Sequence, residues 1–420
     1  MIKSNVFHKI PISTPFVSRT PKFKPNYGMF LDATAVPRHF TVRDTIKHVI
    51  GLQKEKDPFY VVHLSNVESQ HERWTQNLPN VHPHYAIKSN PDRRIIQTLH
   101  SLGAKFDCAS QKEIQDVLAI TKDPKKIIFA NPIKMPHHLE YAAAVGVDRV
   151  TADNVSELEK LRFFHKNAKI LIRMKPDDSK SICRFSTKFG ATIEEAVAML
   201  DYARKYNLDI IGTSFHVGSG CQSAETYSAI LRDCAEIFSM GSDLGFHMHL
   251  LNIGGGFPGL SSGHQGDSFE AMSVVISDAV GRMFSQVKDL EVIGEPGRFF
   301  SEGAASLVTS VVGKKEFDSE GKTGFKYYID EGVYGGFNCI VFDHSHPVLE
   351  IVKPRLNSAT HHSIVFGPTC DSMDKIGEFE MPELFVGDKL FVESFGAYTS
   401  TSSSAFNGFK NMRRYYVYKD

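Results

Sequence analysis

From Tyr85 to Gly297, short apolar runs alternate with stretches whose apolar residues recur every three or four positions, the pattern of strands followed by amphipathic helices. Eight runs can be read: Tyr85–Lys88, Lys105–Ala109, Ile127–Ala130, Arg149–Ala152, Ile170–Met174, Gly212–Val217, Leu250–Ile253 and Glu291–Gly294. The intervening segments carry helix boundaries. Ser110-Gln111-Lys112-Glu113 and Thr192-Ile193-Glu194-Glu195 have capping-box spacing, and Pro136 and Gly146 bracket a helix as first-turn proline and terminal glycine. Eight strand–helix units predict an α/β fold, a (β/α)8 TIM-like barrel; the same periodicity also admits an open doubly wound sheet.

After Arg298 the pattern changes to strand-like runs separated by turn residues: Ala305–Val312, Phe325–Ile329, Val348–Val352, Ser363–Phe366, Lys389–Glu393 and Arg414–Val417. This reads as a C-terminal β-barrel-like or sandwich domain. The expected organisation is a flexible extension over 1–28, a segment 29–58 lending a strand to the β domain, a barrel over 59–299 and the β domain over 300–420. A chain of 420 residues exceeds the size at which one core stops growing, in keeping with two domains.

Bulk composition narrows the function classes. Forty-eight basic against 48 acidic residues leave no net field to gather nucleic acid or anionic lipid. No window reaches eighteen uninterrupted apolar residues, so neither membrane nor nucleic acid is an expected partner. Cys108, Cys183, Cys221, Cys234, Cys339 and Cys370 show no CxxC pairing, which suits reduced thiols in the cytoplasm. Residues 1–31 lack Asp and Glu but carry Lys3, Lys9, Arg19, Lys22 and Lys24, as organelle transit peptides do. Their prolines interrupt an amphipathic helix and favour a disordered basic lead-in instead.

The strand ends carry the chemistry. Lys88, Asp107, Asn131, Asp153, Arg173, His216, the Gly254–Gly256 turn and Glu295 fall at or just past C-terminal strand ends, the face where barrel enzymes work. Lysines are ordinarily surface or snorkelling residues, but Lys88 closes an apolar run and can form an imine with an aldehyde cofactor. Glu295 either pairs with Arg298 or holds a pyridine nitrogen protonated. Arg298, Ser219 and the glycine turn can cradle a phosphate. His216 is a core histidine, a ring stacked on a cofactor or an acid/base, while Glu113 has a simple capping explanation. Together these residues indicate pyridoxal 5'-phosphate, an electron sink for the carbanion that decarboxylation leaves.

A second cluster lies in the β domain: Asp343-His344-Ser345-His346, and Gly367 through Asp374. His344/His346 and Asp371/Asp374 invite a metal, but an organic electron sink makes one redundant, and no metal is expected. A carboxylate for a distal ammonium beside the Cys370 thiol is more economical.

At these residues the chain resembles the eukaryotic ornithine decarboxylases, of the alanine-racemase-like type (fold type III) of pyridoxal phosphate enzymes. The likeness runs from about residue 30 to the end, through YAIKSN at 85–90, FDCAS at 106–110, FANPIK at 129–134, SFHVGSGC at 214–221, NIGGGFPG at 252–259, EPGRFF at 295–300, DEGVYGGFNC at 330–339, GPTCDSMD at 367–374 and GAYT at 396–399. It implies decarboxylation of ornithine to putrescine, as in polyamine biosynthesis. Lys88 would form the Schiff base, Glu295 meet the pyridine nitrogen and His216 stack on the ring. Ser219, Gly255, Gly256, Arg298 and Tyr398 would bind phosphate, with Asp107 and Arg173 in support. The family's head-to-tail homodimer implies that Cys370, returning a proton, and Asp371 come from the partner subunit. Asp343 and Asp371 would hold the substrate's distal ammonium, and Phe406 would line the site.

Asn252 stands where the family has aspartate, and Phe342 where it has tyrosine. The chain ends at Tyr415–Asp420 without the vertebrate degradation tail, so turnover by that route is not expected, although antizyme is a partner the likeness brings into view. Lysine as an additional substrate is a close alternative, because one methylene is worth only about 1–3 kcal/mol; His344 leans towards ornithine. A non-catalytic protein of the antizyme-inhibitor kind is the other alternative. Asp107, Arg173, Arg298 and Cys370 in their catalytic identities argue against it.

Overall fold

The computed structural model describes residues 32–53, 55–260, 265–355, 358–409 and 412–420; the extension expected over 1–28 lies outside the described residues. Eight strands form a closed parallel barrel: β1 (Val81–Ala86), β2 (Lys105–Cys108), β3 (Ile127–Phe129), β4 (Arg149–Ala152), β5 (Lys169–Arg173), β6 (Asp209–Ser214), β7 (Leu250–Asn252) and β8 (Glu291–Gly294). Each pairs with the next, and β8 closes on β1 through Val292 opposite Val81 and Gly294 opposite Pro83. The barrel is the one that the periodicity predicts. Two strands depart from the expected bounds by more than one residue. Strand β1 starts at Val81 and ends at Ala86, so Lys88 sits beyond it in a 3-10 turn, Ile87–Ser89. Its first half, Val81-His82-Pro83-His84, carries polar rings and a proline that hide it from a hydrophobic pattern. Strand β6 ends at Ser214, two residues before His216.

The expected helix ends are present. Thr192 and Glu195 form a reciprocal capping box; Pro136 opens a helix that Gly146 closes in the left-handed region. At the other expected box only the cap half forms as written: Ser110 Oγ accepts the Glu113 N–H at 3.3 Å, while Glu113 Oε2 accepts the N–H of Ala109, one residue before the cap, at 2.6 Å.

Side chains two residues apart share a strand face, and this sets the barrel's layers. Arg149 pairs with Glu291 at 2.9 and 2.7 Å near the N-terminal ends of β4 and β8, and Lys105 approaches the same carboxylate at 3.4 Å. Above this ionic floor Ile128, Leu171, Ile211, Leu250 and Ile293 pack as a small apolar cluster of their own. One step further come Arg173 and Asn252, the last residues of β5 and β7, and Glu295, the residue after β8. Between barrel and outer helices, Trp74 is fully buried, its ring 5.0 Å from Phe257 and 5.5 Å from Phe299, with its indole N–H on the Val81 carbonyl at 2.9 Å.

The second unit is a nine-stranded sheet, as the β domain predicts. Its long central strand, Ala305–Ser319, pairs with Phe59–His63, Lys389–Val392 and Lys322–Ile329. Ala33–Val36 joins it beside Arg413–Lys419. Phe59–His63, assigned above to the barrel, belongs to this sheet instead. Its five residues are all buried, and such a run carries no mark of which sheet it enters. Lys375–Pro382, absent from the expected strands, pairs with Thr360–Phe366 at the sheet's edge, where glutamates at 378 and 380 face outward and break the apolar run. No described helix is long and apolar enough to cross a membrane.

Candidate active site

The 3-10 turn after β1 delivers Lys88 to the barrel mouth. The turn is held from below by Ser89 Oγ on the Ala86 carbonyl (2.9 Å) and from the β domain by Asn90 Nδ2 on the Gly396 carbonyl (2.8 Å). The Lys88 ammonium donates to Asp107 Oδ2 at the end of β2; the carboxylate is fully buried, whereas 39% of the lysine side chain is exposed, so its tip is open to the mouth. Burial alone would lower the Lys88 pKa, but the charges of Asp107 and Glu295 outweigh it and hold the amine above the ordinary lysine range. Glu295 responds in the opposite direction. Burial and the Asp107 charge push its carboxyl up to about 7, against the pull of Lys88 and of the Asn252 amide, which donates to Oε1 at 2.6 Å.

His216 lies beside this pair. The Gly218 N–H donates to its Nδ1 at 3.0 Å, so Nε2 carries the proton of the neutral ring. Burial and the cations of Arg173 and Lys88 keep it well below the usual histidine value. Its neighbour in the turn after β7 must be glycine: a Cβ at Gly255 would stand 2.8 Å from His216 Nε2, and Gly256 has φ +105°.

Arg298, at the start of the short helix Arg298–Ser301, lies at one end of a cleft of about 540 Å³, which Ser219, Asp343, His344 and His346 also line. It is 3.3–3.4 Å from Ser219 Oγ and 5.3 Å from the centroid of the Tyr398 ring. Tyr398, with φ +54°, is anchored by its N–H on the Ser89 carbonyl at 2.9 Å. Asp343 is engaged by Arg298 at 2.7 and 2.5 Å, with the Cys183 thiol 3.7 Å from its Oδ1. Neither the pairing with Arg298 nor the approach of Cys183 was visible in sequence, where 45 and 160 positions separate the partners.

Cys370, Asp371 and Phe406 lie together elsewhere. Cys370 is exposed, its N–H on Asn407 Oδ1 at 3.1 Å. Asp371 accepts the Tyr334 hydroxyl and the Met373 N–H (2.9 Å), and Tyr334 stacks on Phe406 with centroids 4.4 Å apart. No hydrogen bond or ion pair among the described residues joins this group to Lys88. Asp374, half of a pair that invited a metal, holds its own turn through the Thr369 N–H at 3.0 Å and joins it to the loop at Val333 through that residue's N–H at 2.8 Å. Asp153 and Asn131 likewise hold loops, accepting the Gly190 N–H at 2.9 Å and reaching the Ala109 carbonyl at 3.4 Å.

Two buried polar atoms at the mouth have no hydrogen-bond partner, Asp107 Oδ1 and Arg173 Nε. Unpaired atoms of this kind are costly unless a ligand meets them. With an accessible amine, a neutral ring flank and a glycine- and arginine-bearing end, they fit pyridoxal phosphate. A parallel barrel with this mouth defines a barrel-type pyridoxal phosphate enzyme. Residues 64–302 match the family described as "Pyridoxal-dependent decarboxylase, pyridoxal binding domain", and the chain belongs to that family.

Relatives agree along nearly the whole chain. Ornithine decarboxylase of Mus pahari is 40% identical over 401 residues, covering 92% of this chain and 87% of that protein. Antizyme inhibitor 2 of Xenopus laevis is also 40% identical, over 400 residues, with the same coverage of both chains. Among solved structures, the arginine decarboxylase of Paramecium bursaria Chlorella virus bound to agmatine superposes with a TM-score of 0.85 at 34% identity, covering 89% of this chain and 100% of that one.

Proposed function

We propose that this pyridoxal-dependent decarboxylase acts on L-ornithine, releasing carbon dioxide and forming putrescine, in sites shared by two chains of a cytoplasmic homodimer. The observation that carries the reading is the Lys88 ammonium paired with the Asp107 carboxylate in a barrel mouth where the Glu295 charge also acts on it. Bound pyridoxal phosphate supplies the sink for the electron pair left when the carboxylate departs.

The chain's own residues do the rest. Lys88 offers the amine that anchors the cofactor aldehyde, and Asp107 takes charge of the proton on that amine. Glu295, its carboxyl raised to about 7 by burial, would as a carboxylate favour a protonated pyridine nitrogen on the bound cofactor. The neutral His216 ring presents an apolar face without competing for protons. Arg173, at the end of β5, would support the bound cofactor with its unpaired Nε, and Ser219, Gly255, Gly256, Arg298 and Tyr398 would hold its phosphate. Cys370 returns a proton to the substrate Cα, Asp343 and Asp371 bind its distal ammonium, and Phe406 walls the pocket.

The separation of Cys370, Asp371 and Phe406 from Lys88 supports a site completed by a second copy. Apolar side chains are exposed on both sets: Phe342 and Val348 flank Asp343, and Met373 follows Asp371, at 70%, 69% and 76% exposure. Such patches are what an interface covers. The six unpaired cysteines suit a reducing compartment.

The antizyme inhibitor among the relatives makes a binding protein the second reading. Against it stand Asp107, Arg173, Arg298 and Cys370, all present. Release of carbon dioxide from carboxyl-labelled ornithine, lysine and arginine tests the proposal, with Lys88→Ala as control. Highest kcat/KM on ornithine, lost in the variant, supports it. Preference for lysine or arginine removes the substrate assignment, and a wild-type protein inactive with all three under saturating pyridoxal phosphate removes catalysis on this class.

A further inference from the structure

The residue expected to meet the substrate's ammonium is held by the residue expected to meet the phosphate. All three guanidinium nitrogens of Arg298 are engaged: Nε and Nη2 by Ser219 Oγ, Nη1 by Glu302 Oε1 at 3.3 Å, and Nη2 by both oxygens of Asp343 at 2.7 and 2.5 Å. The ions are largely screened from water, with side-chain exposures of 17% for Arg298 and 9% for both carboxylates. With two carboxylates and a hydroxyl on its donors, the guanidinium has no free fork to offer a phosphate dianion. One partner must withdraw for an anion to use the same fork.

Asp343 is the partner built to move. Glu302 shares a helical turn with Arg298 and presses against Gly259, where there is no room even for a Cβ. Asp343 instead follows the helix Cys339–Phe342, its backbone fixed by N–H groups of 343 and 345 on the Cys339 carbonyl at 3.0 Å. Only rotation of its side chain is needed to leave Arg298, and it lines the open cleft.

We propose that Asp343 competes with the cofactor's phosphate for Arg298, so that seating the phosphate turns Asp343 over to the substrate's distal ammonium. This rests on the functional reading above, and it adds a role in cofactor retention to a residue otherwise assigned to substrate. Substrate-side use of Asp343 then follows cofactor loading instead of preceding it.

The test is the rate at which holoenzyme loses pyridoxal phosphate during dialysis, followed by absorbance, together with the affinity of the stripped protein for pyridoxal, which lacks the phosphate. Asp343→Asn should lose cofactor roughly three- to tenfold more slowly than wild type, the scale of one partly screened charge pair, with pyridoxal affinity unchanged. Inorganic phosphate should compete with rebinding more strongly in the variant. If Asp343→Asn has no cooperative melt, Asp343→Ser is measured in its place with the same expectations. Equal or faster cofactor loss from a folded variant, or pyridoxal binding tightened to the same degree, overturns the competition. A wild type that never retains pyridoxal phosphate overturns the functional reading instead.

Discussion

Asn252 and Glu295 are joined by a hydrogen bond whose direction is set by a third group. The Gly254 N–H donates to Asn252 Oδ1 at 2.9 Å, so the amide nitrogen is the atom that faces Glu295, 2.6 Å from its Oε1. A donor so placed favours the carboxylate over the acid and counters the burial that pushes Glu295 up to about 7.

Asn252→Ala should therefore raise the Glu295 pKa further. A hydrogen bond to a charged group is worth ~1.5–3 kcal/mol, or about one to two pKa units. On the role proposed for Glu295 the ionised carboxylate is the active form, so the acidic limb of the kcat/KM profile should move to higher pH by about that amount while the alkaline limb stays. A profile that scales uniformly, with its acidic limb unmoved, would show that the amide does not tune Glu295.

If two chains complete the site as proposed, Lys88→Ala and Cys370→Ala damage different halves of it. In a mixed dimer one site carries both changes and the other carries neither, so random mixing of the two inactive proteins should restore about a quarter of wild-type activity. Subunit mixing after dissociation measures it, and heterodimers isolated by two affinity tags should show about half of wild-type activity, one intact site of two. Verified heterodimers without activity would mean that each site is built within one chain.

Glu331 lies in the loop that presents Tyr334, and its Oε1 accepts the Gly332 and Gly336 N–H groups at 3.0 and 2.7 Å. Burial pushes its carboxyl up to about 7, from 4.5 in an open chain. Between those values the folded chain binds more protons than the unfolded one, so this group's contribution is complete below about pH 4.5 and is lost as pH rises through about 7. Glu331→Gln keeps the acceptor oxygen without the charge. It should be more stable than wild type at pH 8 by an amount approaching ~3 kcal/mol, the ceiling set by a shift of this size, with no gain at pH 4.5. Urea melts at the two pH values check both signs.

The barrel was legible because its evidence is repeated: eight apolar runs, each followed by a helix with its own start or stop, and a polar residue at each strand end. Lys88, Asp107, Arg173, His216 and Glu295 could be gathered on one face by counting strands. What escaped was set by contacts between distant segments. Phe59–His63 is apolar enough for either sheet, and only its partners at Ala305–Val308 and Arg413–Val417 decide the matter. Asn252 drew notice as an unusual residue before three glycines, but its hold on Glu295 depends on β7 and β8 lying side by side. The Arg298–Asp343 pair is less legible still, because it crosses from the barrel to the β domain and joins two residues whose roles, read separately, point to different ligands.

The ionic floor of Arg149, Lys105 and Glu291, with the apolar layer stacked on it, has a consequence for traffic. The lumen is a blind well, so amino acid, diamine and carbon dioxide must all use the upper rim. If a second subunit caps that rim, the seam between subunits is the doorway, and how readily it parts sets a ceiling on turnover that no improvement at Lys88 can raise.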